Sequence, residues 1–209
     1  MGISRQGIHG NYRKKVGNVV ARVVRGRVIL SIYQPDVSNP NTAKQQTQRS
    51  RFVNVIRAFN AFAGWAKSHA RNWYPVGTGW SNFVKKNYTR YNNTTGAIMF
   101  DQLTISEGTL MLPLNPSAVV EQGIINVSWN DNSGQGNATP NDMASVLAYN
   151  SAKDVVVYSD DLGKRSERAA ELSVPSTWNG DNVEVYLVMK SDTDSSLWSD
   201  SQYLGSLSV

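Results

Sequence analysis

The spacing of apolar residues changes character twice along this chain, and that change limits the fold more than any single motif. Val16 to Val24 and Arg27 to Tyr33 are β-branched runs. From Thr42 to Tyr91 apolar residues recur at helical intervals, and from Ala97 onward they alternate with a period of two. Residues four apart share a helix face and residues two apart share a strand face, so no single element type satisfies the whole pattern. The expected class is α+β. A basic glycine-rich arm and β-hairpin occupy 1–38 and a helical segment 39–95. A β-rich region fills 96–209 and ends in an antiparallel, immunoglobulin- or fibronectin-like sandwich from about residue 118.

The helical segment has a legible start. Pro40 suits a helix edge, and Thr42 with Gln45 has capping-box spacing. Phe52, Ile56, Phe59, Ala63 and Ala66 follow as an apolar stripe, with Arg49, Arg51, Arg57 and Lys67 on the opposite face. A pause is expected near Gly64. Trp65, His69 and Trp73 continue at i, i+4 until Pro75 and Gly77 break the pattern. A further helix is expected from about Ser81, with Trp80, Val84, Tyr88 and Tyr91 on one face beside Lys85, Lys86 and Arg90.

On either side, turn residues separate the strands. Arg25-Gly26 reads as a two-residue hairpin connection, with Gly26 free to take a positive φ. An isolated hairpin is barely stable in water, so this one needs something to pack on. Ile98 to Ile105 and Thr109 to Leu114 read as a second hairpin around Glu107-Gly108, and Asn115-Pro116 as a linker. Strands are then expected at 124–129, 144–149, 155–158, 169–174, 183–189 and 197–204. Val183, Val185, Leu187 and Met189 mark one buried face, and Glu184, Tyr186 and Lys190 the other. Trp129 suits the core of such a sandwich.

Charge divides the chain as sharply as periodicity does. The net charge is +5, but residues 1–100 hold 16 of the 21 Lys and Arg and one acid, Asp36. The remaining acids all fall in 101–209. Such asymmetry suits a basic surface for a polyanion, head-to-tail pairing between copies, or neutralisation within one monomer. Arg13, Lys14, Lys15, Arg22, Arg25 and Arg27 are the candidate contact residues, joined by Lys85 and Lys86. Cations of this kind give salt-sensitive binding without sequence preference. Tyr12, Tyr33, Trp73, Trp80, Tyr88 and Tyr91 could stack on bases of a single strand, or serve as core.

Catalysis finds little support. There is no cysteine, which removes disulfides and thiolate metal sites. No HExxH or GxSxG occurs, His9 lies in the glycine-rich arm, and His69 reads as a packed or surface residue. Asp160-Asp161 before Leu162-Gly163 reads as turn chemistry. Asp131-Asn132-Ser133-Gly134 reads as an inter-strand loop, since an EF-hand needs a late bidentate Glu. Gly7-Ile8-His9-Gly10 lacks the Gly-Lys-Ser/Thr ending of a phosphate loop. No enzyme activity, cofactor or metal is expected. No apolar run approaches the roughly 18 residues of a membrane helix, so no membrane insertion is expected. The N-terminus lacks the apolar region of a standard signal peptide.

Gly7-Ile8, Lys15-Val16-Gly17-Asn18-Val19-Val20, Asn39-Pro40, Thr42, Gln45, Gln48-Arg49 and Phe52 resemble one domain-of-unknown-function family. That family occurs in Bacteroidota and in their small single-stranded DNA phages and prophages. The resemblance continues through Trp129, Asp131 to Gly134, Tyr149-Asn150, Ala152-Lys153, Val174-Pro175, Trp178, Gly180-Asp181, Val183-Glu184 and Tyr186. It departs at the hairpin tip, where relatives often carry an aromatic and this chain has Arg25. The resemblance implies a phage setting and no catalytic residues. The expectation is a non-enzymatic virion structural protein present in many copies. It would be located in the virion, or in the host cytoplasm before assembly. Its partners would be further copies, other virion proteins, and single-stranded nucleic acid. The alternatives are a soluble single-stranded nucleic-acid-binding accessory protein and an adhesin-like host-surface module.

Overall fold

A computed structural model of the chain describes residues 14–24, 26–36, 40–92, 95 and 97–209. The glycine-rich arm, with Tyr12 and Arg13, and the tip residue Arg25 lie outside that set. So do Asn39 and the Asn93-Thr94 and Gly96 positions. The chain divides into two units, Met1–Gln46 and Thr47–Val209.

The first unit holds a three-stranded antiparallel sheet, β1 (Lys14–Val16), β2 (Val19–Val24) and β3 (Arg27–Ile32), in that order. The expected hairpin is its β2–β3 half. Val24 pairs with Arg27, so the connection is two residues long, and Gly26 takes φ 75°. The apolar run beginning at Val16 is not one strand, because Gly17-Asn18 makes a second two-residue turn, with Val16 opposite Val19. Lys14 and Lys15 therefore belong to a strand rather than to a loose arm.

Helix α1 (Ala43–Ala61) begins in the first unit and runs into the second. Its capping box forms as expected: Gln45 N–H donates to Thr42 Oγ1 at 3.4 Å, and Thr42 N–H donates to Gln45 Oε1 at 3.2 Å. The apolar stripe is displaced from the expected one. Phe52 is exposed, while Val55, Ala58, Phe59 and Phe62 are buried. Helix α2 (Ala63–His69) is offset from α1 at Phe62, two residues before the expected pause at Gly64. Helix α3 (Gly79–Asn87) has its own capping box between Thr78 and Ser81. Helix α3 fully buries Phe83 and Asn87, whereas Tyr88 is exposed.

The rest of the second unit is a sandwich. Strands β4 (Leu114–Glu121), β5 (Ile124–Asn130) and β8 (Ala169–Ser173) form one sheet in the order β4-β5-β8. Strands β6 (Met143–Asn150), β7 (Val155–Lys164), β9 (Asn182–Lys190) and β10 (Gln202–Ser208) form the other, in the order β10-β9-β6-β7. All pairings are antiparallel. This is the immunoglobulin- or fibronectin-like arrangement that the sequence suggested. Between the sheets lie Ile125, Val127 and Trp129 from β5, with Val146, Val185 and Leu187 facing them.

The four-stranded sheet is covered on its second face as well. Leu147, Tyr149, Tyr186 and Val188 point away from the sandwich interior. They pack on Phe59, Phe62, Trp65 and Phe83 of the helices. The face expected to be marked by Glu184 and Tyr186 is thus a second core and not a surface. Tyr186 is fully buried and donates from its hydroxyl to Phe100 O at 2.7 Å. Burying a large apolar side chain contributes about 1.5–3 kcal/mol. The β6–β9 pair collects that contribution from both faces, and its seven central residues Val183–Met189 are all buried.

Residues 98–114 do not form the expected hairpin. Phe100–Gln102 is a short 3-10 turn, after which Leu103 and Ile105 enter the helical core and Leu110 the sandwich core. Their backbone partners lie near the far end of the chain. Ile105 N–H donates to Ser201 Oγ at 2.9 Å, and Leu110 N–H donates to Trp198 O at 3.0 Å. Gly108 is pressed so closely on this strap that a Cβ would sit 1.9 Å from Trp198 O. Asn115-Pro116, expected to be a linker, lies inside β4 at a register shift. Asp160-Asp161, expected to be a turn, is a bulge inside β7, where Asp161 takes φ 59°. The last expected strand, 197–204, moves to Gln202–Ser208.

Candidate functional site

Register assigns every side chain of the N-terminal sheet to a face, because paired residues point the same way. Lys15 pairs with Val20, Val20 with Ser31 and Arg22 with Ile29. One face therefore carries Lys15, Arg22 and Arg27 interleaved with Val20, Ile29 and Ser31, with Tyr33 continuing the same parity. Lys15 Nζ lies 3.4 Å from the centroid of the Tyr33 ring, a cation–π contact. The other face carries Val16, Val19 and Ile32 in one row, Lys14, Ala21 and Leu30 in the next, and Val23 with Val28 in a third. All except Ala21 are exposed. The sheet is thus bifacial, cationic on one side and apolar on the other. The β-branched residues explain why it forms strands, and the two glycine turns explain why it folds back twice.

The other predicted contact residues are placed differently. Lys85 and Lys86 occupy the last turn of α3, in the second unit, where the helix dipole favours cations. Lys86 Nζ is 2.8 Å from Glu107 Oε1, and Lys85 Nζ is 4.0 Å from the Tyr74 ring centroid. Both are therefore engaged locally. Arg13 and Arg25 lie outside the described residues. Of the candidate stacking aromatics, Trp73, Trp80 and Tyr91 pack partly buried against the helical core, and Tyr88 and Tyr33 are exposed.

Two polar constellations in the second unit were not foreseen. The first surrounds Arg165, which is fully buried with Asp142. Arg165 Nε donates to Asp142 Oδ2 at 3.1 Å, Nη1 to Asn132 Oδ1 at 2.7 Å and Nη2 to Met111 O at 2.7 Å. Trp129 Nε1 donates to Arg165 O at 2.9 Å. Each guanidinium nitrogen finds a protein acceptor, so the cluster knits loops together. It also accounts for the 131–134 loop: Asp131 accepts from Ser133 N–H at 2.9 Å, and Asn132 reaches inward to Arg165.

The second constellation contains His69. Its ring stacks on Trp65 at 3.5 Å and meets the edge of Trp198 at 4.6 Å. His69 Nε2 lies 3.5 Å from Asp160 Oδ1, and Nδ1 lies 2.7 Å from Ser68 Oγ. The residue types are those of a Ser-His-Asp set, but the proton inventory is not. Nδ1 is also 2.9 Å from Trp65 O, which only accepts, so in the tautomer that makes this bond Nδ1 is the donor. Ser68 Oγ itself donates to Trp65 O at 3.0 Å. In that tautomer Nδ1 cannot take a proton from Ser68. Burial pushes the Asp160 carboxyl up, but His69, Ser145 and Lys190 together hold it below its ordinary value. No spacing in the sequence joins His69 to Asp160 or Asp142 to Arg165; only the fold does.

Among the described residues no group of three or more acidic or histidine side chains is placed to hold a metal ion. Nor is any helix among them long and apolar enough to cross a membrane. Residues 10–205 match the model of a family described as "Family of unknown function (DUF6266)". No curated protein matches the chain.

Proposed function

This chain belongs to the family of unknown function DUF6266, and on that premise we propose that it is a non-enzymatic structural protein of a small single-stranded DNA phage, assembled in many copies. The observation that carries the reading is the bifacial N-terminal sheet. Three short strands present an apolar face and a cationic face, and both are exposed. Such a sheet gains stability by packing against something else. The second unit differs: it has two cores of its own, one inside the sandwich and one under the helices. A robust sandwich joined to a cationic sheet suits a repeated building block whose basic end meets nucleic acid or an acidic neighbour. The phage setting is what the family resemblance in the sequence implies.

Light scattering coupled to size separation tests this reading. Rings or larger closed assemblies are expected as concentration rises. A strict monomer at high concentration that is absent from purified particles would refute it.

A second reading is favoured by one observation, the clustering of Lys15, Arg22 and Arg27 with Tyr33 on one face. This suits a soluble single-stranded nucleic-acid-binding accessory protein. Three neutralised phosphates would give a slope of roughly −2 in log affinity against log salt. Binding indifferent to salt would exclude it.

A further inference from the structure

We infer that the apolar face of the N-terminal sheet is the seat of a second copy of this chain, two sheets closing face to face with their cationic faces outward. The inference rests on the multi-copy reading above and names the surface that the copies share.

Three arguments select this occupant. The first is area. Val16, Val19, Val23, Val28, Leu30 and Ile32 are exposed by 50, 39, 48, 41, 55 and 81%. Together they offer roughly 500 Å² per copy, and about 1,000 Å² when two faces close, the lower bound of a specific interface. An apolar patch of that size is at the upper end of what a monomer exposes, and such patches are often functional.

The second argument is chemical self-complementarity. The face is apolar except for Lys14, which register places at the outer-strand end of the middle row, opposite Ala21. A polyanion finds one cation there, and an acidic protein finds almost no counter-charge. Another copy of this face finds apolar partners in all three rows, and Lys14, on the outer strand, can carry its ammonium to the rim and keep it in water. A two-fold axis makes each contact twice, so a small patch suffices.

The third argument is electrostatic. Lys15, Arg22 and Arg27 would oppose self-association if they met across an interface. Face-to-face packing puts about 10 Å between the sheets, and the cations sit beyond that on the outer surfaces. Their separation then exceeds the Debye length of about 8 Å at physiological salt. The product is a slab with a cationic surface on each side, open to a polyanion.

The chain contains no cysteine, so an introduced thiol is unique. Leu30→Cys places one on the apolar face, and Ile29→Cys places one on the cationic face one residue away. With a short bismaleimide, the full-length Leu30→Cys protein is expected to form covalent dimers in high yield, and Ile29→Cys little or none. Equal yields would overturn the inference, since edge-to-edge pairing of β3 or a random encounter treats the two positions alike. Ile32→Glu combined with Leu30→Glu is expected to shift the assembly to monomer by light scattering with an unchanged circular dichroism spectrum. If the wild-type chain assembles and this variant assembles equally, the inference fails while the multi-copy reading survives. If the wild-type chain never assembles, both fail.

Discussion

Replacing Arg165 by methionine removes the positive half of an ion pair in which neither side chain touches solvent. Asp142 keeps Thr139 N–H at 2.8 Å and Thr139 Oγ1 at 2.6 Å, but loses its counter-ion. Asn132 Oδ1 and Met111 O lose short bonds from the guanidinium as well. Removing one member of a buried pair costs about 3–5 kcal/mol, because the charge left behind is neither solvated nor compensated. For a chain of this size each kcal/mol lowers Tm by about 2–4 °C, so a fall of roughly 10–15 °C is expected. Urea unfolding followed by tryptophan fluorescence and far-ultraviolet circular dichroism measures the loss. Trp129 reports on the site directly, since its indole N–H donates to the Arg165 carbonyl. Arg165→Lys should fall between wild type and Arg165→Met, as one ammonium cannot reach three acceptors in different directions. Asp142→Asn added to Arg165→Met should recover part of the loss, because no charge then stays unpaired. A loss below about 1 kcal/mol for Arg165→Met would refute the claim that this network holds the loops to the sandwich.

Other predictions concern the fold's remaining devices. Gly108→Ala should destabilise by a few kcal/mol, about the scale of overpacking in a fixed environment, because its Cβ would meet the Trp198 carbonyl at 1.9 Å; an unchanged Tm would show that the strap yields freely. Phe83→Ala should cost about 3–5 kcal/mol, since the ring is fully buried against Phe59 and Phe62 at 5.3 and 5.5 Å, and chemical denaturation measures it. Asp160 is held below its ordinary pKa by His69 despite burial, Asp131 by Ser133, Asp181 by Lys153 and Asn150, and Asp194 by Ser196. A depressed carboxylate contributes stability that is present above its unfolded pKa of about 4 and is lost as pH falls through the folded value. Tm should therefore hold from neutral pH down to about 5 and decline below about 4, and Asp160→Asn should reduce that acid limb.

Local chemistry carried the reading of individual elements. The Thr42 and Gln45 cap, the Arg25-Gly26 turn and the alternation of Val183, Val185, Leu187 and Met189 were all visible before folding. Each depends on neighbours within a few residues. Four strands of the sandwich, β5, β6, β8 and β9, kept their expected positions to within a residue for the same reason. Of the candidate site, the cations were legible from composition, but their division from the apolar face was not. That division came from pairing, which sets Lys15, Arg22 and Arg27 on one side and Val19, Leu30 and Ile32 on the other.

What covers a face, and what accepts a backbone bond, was decided elsewhere in the chain. Tyr186 marked the other face of β9 in the sequence and became core together with Val188, because the helices pack there. Leu103 and Ile105 alternate as a strand does, yet the partners of the segment that runs on to Leu110 are Trp198 and Ser201, nearly a hundred residues away. Arg165 meets Asp142 and His69 meets Asp160 only once β7 lies beside β6 and beneath α2. Periodicity states which residues share a side. The identity of the neighbour is a long-range property, set by the packing that buries the most apolar surface while leaving buried polar groups paired.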